Sequence, residues 1–286
     1  MLVPCLISWM AGPPRLVLSG LLRGKHSRVA LVVAHPDDEV MFFWPTLLQL
    51  HAAGVPLCVL CLSTGNAYGL GELRTLEMQR CCARLGISGE DLTIVDVEEL
   101  QDGFHPWPEE VVSAQVLAFL RGRGVSLVLT FDRGGVSGHP NHVSTSLGVR
   151  RAAAAAGGPG SEACGCFEVL LLETVALPQK YIGPFSLGAA PHADSAEAST
   201  SAEEKVAASA SAGAGPLACL PPLAMHWSQL VWYRVLSAIF SRYSYLNTYV
   251  VATEGGSTGA GNGMEVVTAD EGERPAAGET TLRQRR

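Results

Sequence analysis

The chain has 286 residues, of which 48% are hydrophobic and 16% are charged, so it is long and apolar enough to bury the core of one large domain. Its formal net charge is −7 at pH 7, and its sequence contains no dense basic cluster. Since nucleic-acid binding depends on such clusters, this composition excludes nucleic acid as the main partner. The eight cysteines are scattered along the chain, a pattern typical of reduced thiols and not of a disulfide framework.

Residues 1–28 form an apolar N-terminal segment that Pro13, Pro14 and Arg15 interrupt. The uninterrupted part is shorter than the roughly 20 residues that a membrane-spanning helix needs. No basic region precedes the apolar stretch, so a cleaved signal peptide is a poor match. Two interpretations stay open: a shallow membrane anchor, or a helix that caps the fold.

Strand-like and helix-like patterns alternate through residues 29–186, which we expect to form the main domain. This βαβ series predicts a Rossmann-like three-layer α/β fold, with a mostly parallel sheet covered by helices on both faces. Cys58 and Cys61 fall in the second predicted strand, where we interpret them as small buried hydrophobes and not as half of a zinc knuckle. The predicted strands are 29–34, 55–63, 92–97, 125–131 and 167–175, and the predicted helices are 40–53, 72–85, 108–121 and 139–156.

The last third of the chain departs from this alternation. Residues 187–216 are dominated by alanine, serine and glycine and predict a disordered insertion, and residues 253–286 predict a disordered tail. Between them, residues 217–252 carry tryptophans and tyrosines interleaved with Arg234 and Arg242. This segment is predicted either to complete the domain as a last core helix or to contact a membrane surface, and one helix can do both.

The most informative motif follows the first predicted strand and reads His35-Pro36-Asp37-Asp38-Glu39. In an open α/β sheet, ligands bind at the carboxyl ends of the strands, which is where this motif lies. Imidazole and carboxylate are zinc ligands, and a spare carboxylate beside such a site can act as a base. Taken alone, the motif also fits a solvated acidic turn, because turns favour proline and aspartate.

A second motif follows the fourth predicted strand and contains His139, Asn141 and His142. Because the two strands are expected to be parallel, both motifs belong to the same edge of the sheet. Two histidines and a carboxylate with an open fourth position form a catalytic zinc set, for which His35, Asp38 and His142 are the candidates. Fe²⁺ accepts the same donors. Each histidine of the second motif, taken separately, also fits an ordinary helix N-terminus.

Together the two motifs resemble those of the LmbE-like zinc de-N-acetylases. Four further stretches resemble the eukaryotic branch of that family, which acts on N-acetylglucosaminylphosphatidylinositol (GlcNAc-PI): Phe42-Phe43, Ser63 with Gly65-Asn66, the run from Thr130 to His142, and the run from Ser228 to Tyr243. The resemblance covers roughly residues 29–182 and 225–248 and implies an LmbE-like fold for the catalytic domain at 29–186.

The resemblance also implies a mechanism. His35, Asp38 and His142 are implied to bind zinc, and Asp37 is implied to be the general base, which takes a proton from water and later protonates the departing amine. His139 is implied to face the developing oxyanion or to help the amine leave.

Four further residues are implied to assist. Arg74 falls where the family has a basic residue that helps to hold the substrate. Asn141 is expected on the substrate side, and it stands where many bacterial relatives have aspartate. A neutral amide there only orients the ring of His139, which leaves the protonation state of that ring open. Glu39 and Asp132 are expected to support the ligands from behind.

The activity that the resemblance implies is zinc-dependent removal of acetate from GlcNAc-PI, the second step of glycosylphosphatidylinositol (GPI) anchor synthesis. Its implied location is the endoplasmic reticulum membrane, with the catalytic domain facing the cytoplasm and in contact with the membrane surface. Two other functions stay open. One is a soluble de-N-acetylase of a small N-acetylglucosamine conjugate, and the other is a metal-free α/β binding subunit without activity. The sequence identifies no protein partner.

Overall fold

All seven strands of the described residues pair into one mixed sheet. The computed structural model describes residues 28–157, 166–183, 185, 208–211 and 216–252. The strand order is β3-β2-β1-β4-β5-β7-β6, in which β1 to β5 are parallel and β7 is antiparallel to both of its neighbours. The mostly parallel sheet of the prediction is thereby confirmed. The strands are β1 (Val29–Val33), β2 (Leu57–Cys61), β3 (Leu92–Ile94), β4 (Leu127–Phe131), β5 (Glu168–Leu172), β6 (Ala208–Ser211) and β7 (Leu246–Val251).

The most apolar strands occupy the centre of the sheet. Every residue of β1, β2 and β4 is buried, and a strand covered on both faces needs such an uninterrupted apolar run. β1 lies between β2 and β4 in register, with Val29 opposite both Leu57 and Leu127. The carboxyl ends of β1 and β4 therefore lie side by side, and these two ends carry the two sequence motifs.

Helices connect the parallel strands. Gly148 allows two of them to approach closely, since a Cβ at this position would lie 2.2 Å from Val112. None of the described helices combines the length and hydropathy that crossing a bilayer requires. The described helices are α1 (Asp38–Met41), α2 (Trp44–Ala52), α3 (Gly71–Ala83), α4 (Glu109–Leu120), α5 (Gly135–Gly138), α6 (Pro140–Ala156), α7 (Leu177–Lys180), α8 (Pro216–Met225) and α9 (Trp232–Phe240).

The helix predicted at 40–53 is two helices in the structure, α1 and α2, separated at Phe42 and Phe43. The reason is Pro45, which has no N–H to bond to the preceding turn and is tolerated only in the first turn of a helix. The chain therefore ends α1 and begins a new helix at Trp44. The other predicted helices occur with ends that shift by one or two residues.

The C-terminal part differs most from the prediction. Residues 217–252 form two helices and a strand, not one helix, and β7 extends the sheet beyond β5. Within the predicted disordered insertion, residues 208–211 form the edge strand β6. An open sheet edge can pair with an added strand through backbone hydrogen bonds. A run of alanines and serines can therefore form an edge strand although its sequence has no apolar pattern that predicts one. The rest of the insertion, the segment 1–27 and the tail from 253 onwards lie outside the described residues.

Candidate metal centre

The predicted ligands meet at the carboxyl edge of the sheet. His35 lies two residues after the end of β1, Asp38 begins α1, and His142 lies in the first turn of α6, which follows β4. All three side chains are buried. Asp38 Oδ1 lies 3.3 Å from His142 Nε2, and Asp38 Oδ2 lies 3.6 Å from His35 Nδ1. His35 and Asp38 meet His142, which lies more than 100 positions further along the chain, and the three form one group that can hold a metal ion.

Hydrogen bonds behind the two imidazoles fix which nitrogen of each faces the centre. His35 Nε2 donates to Asn141 Oδ1 at 3.0 Å and pairs with Asp102 Oδ1 at 3.1 Å. His142 Nδ1 donates to the carbonyl of Gly135 at 3.1 Å. The remaining nitrogens, His35 Nδ1 and His142 Nε2, face each other at 3.3 Å. Two ring nitrogens and a carboxylate oxygen at this spacing repel one another unless a positive charge lies between them, so the donor set fits a metal cation.

The charges around the centre also favour a cation. Burial alone would raise the pKa of Asp38, but the neighbouring imidazoles of His142 and His35 hold it well below its usual value. Burial alone would lower the pKa of His35, yet its hydrogen bonds to Asp102 and Asp38 raise it to about 10. The carboxylates thus create a field that binds a proton strongly, and the same field attracts a metal ion.

Asp37, the predicted base, lies beside the centre in a strained conformation. Its φ of 118° lies in a region that non-glycine residues rarely adopt, at a cost of about 1–3 kcal/mol. The carboxylate is held between two guanidinium groups, Arg74 at 3.3 Å and Arg234 in a direct ion pair. Burial raises the pKa of Asp37, while the two arginines act in the opposite direction.

Arg74 is buried and bonded to protein groups. Its Nη atoms donate to the carbonyls of Pro36 at 2.7 Å and Gly65 at 2.8 Å, and Nη1 lies 3.4 Å from Asp102 Oδ2. Any Cβ at Gly65 would lie 2.4 Å from the guanidinium, so glycine is needed there. These contacts make Arg74 a clamp on the loop that carries Asp37, a role that differs from the predicted contact with substrate.

Asn141 also has a different position from the prediction. Its side chain is fully buried, with Oδ1 bonded to His35 and Nδ2 donating to the carbonyl of His105 at 2.8 Å. The amide therefore orients His35 and does not face a substrate. Only the backbone N–H of Asn141 reaches His139, donating to its Nδ1 at 3.3 Å.

His139 lies at the open side of the centre, with its ring 5.0 Å from the rings of both His35 and His142. Burial lowers its pKa, and repulsion from His35 and His142 adds to this effect, so the pKa falls to about 4. The ring is therefore neutral at pH 7. Because Nδ1 accepts a hydrogen bond, Nε2 carries the proton and can donate it to a hydrogen-bond acceptor.

Glu39 and Asp132 bond to backbone groups next to the predicted ligands, and their supporting role stays a prediction. Glu39 accepts the backbone N–H of Asp37 at 3.0 Å. Asp132 accepts the N–H groups of Gly134 at 2.9 Å and Gly135 at 3.1 Å, and so holds the loop whose carbonyl orients His142.

Comparisons with known proteins identify the family. The family model described as PIG-L: GlcNAc-PI de-N-acetylase matches residues 30–153. The N-acetylglucosaminyl-phosphatidylinositol de-N-acetylase of Bos taurus is 38% identical over 79% of this chain and 84% of the bovine protein. This chain belongs to the PIG-L family. A probable enzyme of the same name from Dictyostelium discoideum is 32% identical over 78% of this chain and 92% of that relative.

Solved structures show that the PIG-L fold of this chain is LmbE-like. The N,N'-diacetylchitobiose deacetylase from Pyrococcus horikoshii, in a complex with its inhibitor MPG, superposes with a TM-score of 0.56. The alignment covers 83% of this chain and 87% of that structure at 17% identity, so the likeness concerns the fold.

Sequence reasoning missed three members of this PIG-L site. Asp102, which pairs with His35 and Arg74, lies in an irregular loop without a motif. Arg234 and His226 come from the C-terminal segment, where Arg234 pairs with Asp37 and His226 Nε2 lies 2.5 Å from Glu39 Oε1. The only signal was an arginine or a histidine in an aromatic segment, and nothing in the sequence indicated which partner each would meet.

Proposed function

We propose that this chain removes the N-acetyl group of GlcNAc-PI, releasing acetate and glucosaminylphosphatidylinositol, the second step of GPI-anchor biosynthesis. The observation that carries the proposal is the intact set of three converging donors with Asp37 beside it, in a member of the PIG-L family. The catalytic unit comprises residues 29–186 completed by residues 217–252.

Zinc is the cofactor that we propose, held by His35, Asp38 and His142. In a site with three protein ligands, zinc supplies Lewis acidity that polarises an amide carbonyl and makes water acidic near neutral pH. Ferrous iron suits the same donors, and metal analysis of the purified chain distinguishes the two.

Asp37 moves the proton. Its carboxylate takes a proton from the attacking water as the new C–O bond forms, and it returns that proton to the nitrogen as the C–N bond breaks. The products are acetic acid and a free amine, and transfer of the acid's proton to the amine leaves acetate and an ammonium group, so atoms and charges balance. Arg74 and Arg234 favour the ionised form of the carboxylate, which the first step requires.

His139 stabilises the charge that develops on the acetamide oxygen. Its ring is neutral with the proton on Nε2, so it acts as a hydrogen-bond donor and not as an acid. A fixed donor aimed at a developing oxyanion contributes most in a site that excludes water. Asn141 and Asp102 hold His35 in place and take no part in proton transfer.

The location that we propose is the endoplasmic reticulum membrane, with the catalytic unit facing the cytoplasm and touching the lipid surface. The substrate supports this, because its acyl chains keep it in a bilayer. For residues 1–28, the two predictions, a membrane anchor and a helix that caps the fold, both stay open. Cell fractionation tests the location at the endoplasmic reticulum membrane, and protease protection of a C-terminal epitope tests the orientation. An epitope that is protected inside sealed vesicles contradicts the cytoplasmic orientation.

The deciding assay is acetate release from GlcNAc-PI by the full chain with Zn²⁺, beside the variant His35→Ala. We expect release by the wild type and a loss of at least about 10³-fold in the variant. Faster hydrolysis of water-soluble N-acetylglucosamine conjugates than of the glycolipid favours the small-substrate enzyme instead. No stoichiometric zinc and no acetate release favours the non-catalytic binding subunit.

A further inference from the structure

Exposed large hydrophobic side chains of the described residues fall in four segments of the chain. They lie at 68–76, 104, 177–185 and 227–240. The first three groups follow the carboxyl ends of β2, β3 and β5, and the fourth belongs to the segment that contacts the metal centre. The helices α2, α4 and α6 expose none, whereas α3 exposes Leu73 and Leu76 in its first half. A concentration of this kind marks an interaction surface, since scattered exposed hydrophobes are the norm.

Helix α9 has its apolar face towards solvent. Trp232, Leu236 and Phe240, spaced four residues apart on one face, are 74%, 43% and 50% exposed. On the opposite face, Ala238 is buried and Arg234 points to Asp37. A surface helix normally buries its apolar stripe and exposes its polar one. This helix does the reverse, so its apolar face is available for something other than the core.

The opposite face of α9 adjoins the reacting groups. On that face, Arg234 pairs with Asp37. Trp227, 74% exposed, follows His226, which is bonded to Glu39. Whatever covers the apolar face of α9 and Trp227 therefore lies one helix away from the metal centre.

We propose that α9 together with Trp227, here called the docking face, lies flat in the interface of a lipid bilayer and brings the metal centre to the head of its substrate. The inference rests on the proposed function, in which the acetylated sugar stands only an inositol phosphate away from acyl chains in the bilayer. An enzyme for such a substrate has to bring its site to the lipid surface.

The chemistry of the docking face fits that occupant. Tryptophan, tyrosine and phenylalanine beside aliphatic residues suit the boundary between headgroups and acyl chains. Residues 225–251 contain Arg234 and Arg242 but no aspartate or glutamate, although the whole chain carries a net charge of −7. The segment is thus spared the negative charge that an anionic phosphatidylinositol surface would repel.

The test uses the full chain with two matched double variants. Leu236→Glu/Phe240→Glu places two charges four residues apart on the docking face. Ala114→Glu/Ala118→Glu places the same charges at the same spacing on exposed positions of α4, which has no exposed large hydrophobe. Each protein is assayed on GlcNAc-PI in vesicles of phosphatidylcholine and phosphatidylinositol, and on the deacylated, water-soluble headgroup.

We expect the docking-face variant to lose at least about tenfold of its activity on vesicles and to keep wild-type activity on the soluble headgroup. The α4 variant should match the wild type on both. Equal losses on both substrates, or no loss on either, overturn the docking face. A wild type that releases acetate from neither substrate overturns the proposed function instead. In that case, quenching of tryptophan fluorescence by brominated lipid still tests whether the docking face enters the bilayer.

Fluorescence locates the face directly. Brominated phosphatidylcholine quenches tryptophans that enter a bilayer, and the difference between the wild type and Trp227→Phe/Trp232→Phe isolates these two from Trp9, Trp44 and Trp107. We expect most of this difference signal to be quenched. An unquenched difference, or a wild-type dimer that Leu236→Glu/Phe240→Glu converts to a monomer in sedimentation, assigns the face to another occupant and contradicts the proposal.

Discussion

At the residue scale, the site depends on side chains whose partners define their chemistry. Asp37 and Asp38 are neighbours in sequence, yet their environments differ. Asp38 faces two imidazoles, which lower its pKa, whereas Asp37 is buried beside two guanidinium groups and has a raised pKa. This difference separates a ligand from a base, because a base has to bind and release a proton during turnover.

The variant Asp37→Asn tests that separation. The amide keeps the volume of the side chain but cannot accept the proton, so we expect kcat to fall by about 10²–10⁴-fold while zinc stoichiometry stays at the wild-type value. The comparison variant, His142→Ala, should lose both zinc and activity. Metal content and acetate release are measured on the same preparations. Loss of zinc from Asp37→Asn would show that Asp37 is a ligand.

His139 makes the stability of the chain depend on pH. Its folded-state pKa is about 4, whereas an unfolded histidine titrates at about 6.5. Between these values the unfolded chain binds a proton that the folded chain does not, so the free energy of unfolding falls as the pH drops from 6.5 to 4.

We therefore expect His139→Gln to have a flatter dependence of unfolding free energy on pH over this range than the wild type. Urea unfolding at pH 4.5, 5.5, 6.5 and 7.5 measures it. His51→Gln, which removes an exposed histidine of α2, is the control and should follow the wild-type curve. Parallel curves for His139→Gln and the wild type would contradict the lowered pKa.

At the scale of elements, the loop between β4 and α6 determines where His142 points. Gly135 has a φ of +55°, and a Cβ there would lie 2.9 Å from the Cβ of His142. Gly138 has a φ of +72° but has open space around it. The two glycines therefore share a backbone requirement and differ only in their contact with the ligand.

The matched substitutions Gly135→Ala and Gly138→Ala separate the two effects. Both should lower stability by about 1 kcal/mol through backbone strain. Only Gly135→Ala should also weaken zinc binding, by about 10–100-fold, because it displaces His142. Zinc affinity is measured by competition with a chelator, and equal affinities in the two variants would contradict this account of the loop.

The C-terminal segment is joined to the first motif by a fully buried pair, Glu39 and His226. Removing one partner leaves an uncompensated buried group, so His226→Gln should lower the free energy of unfolding by about 3 kcal/mol. The double variant Glu39→Gln/His226→Gln should recover part of that loss, since two neutral amides can bond to each other. Additive losses in this double-mutant cycle would mean that the two side chains do not interact.

At the scale of the whole molecule, the metal centre links parts of the chain that are distant in sequence. His35 and Asp38 follow β1, whereas His142 belongs to α6. Zinc that binds only the folded chain should stabilise it by about 2.7 kcal/mol at a concentration 100 times the dissociation constant. Thermal unfolding with and without a chelator measures this effect, which should vanish in His142→Ala. An equal response of that variant would mean that zinc binds elsewhere.

Much of the fold followed from local patterns. Three of the five parallel strands, β1, β2 and β4, are short apolar runs that are buried throughout, as strands covered on both faces have to be. The predicted positions of β1 and β4 were enough to bring both motifs to one edge. The break between α1 and α2 could also have been predicted from the sequence, because Pro45 lies inside the predicted helix 40–53. The edge strand β6 could not have been predicted, because its run of alanines and serines has no apolar pattern.

The sequence by itself determined the parallel α/β core and the His35, Asp38 and His142 set. Both depend on short stretches, apolar strands and the polar motifs that follow them, which can be interpreted from neighbouring residues alone. Only the tertiary structure decided what surrounds that set. It brought Asp102 and Asn141 to His35, Arg234 to Asp37 and His226 to Glu39, and it turned the apolar face of α9 outwards. These are pairings between positions separated by 67 to 197 residues, and no local pattern encodes which distant side chain a residue meets.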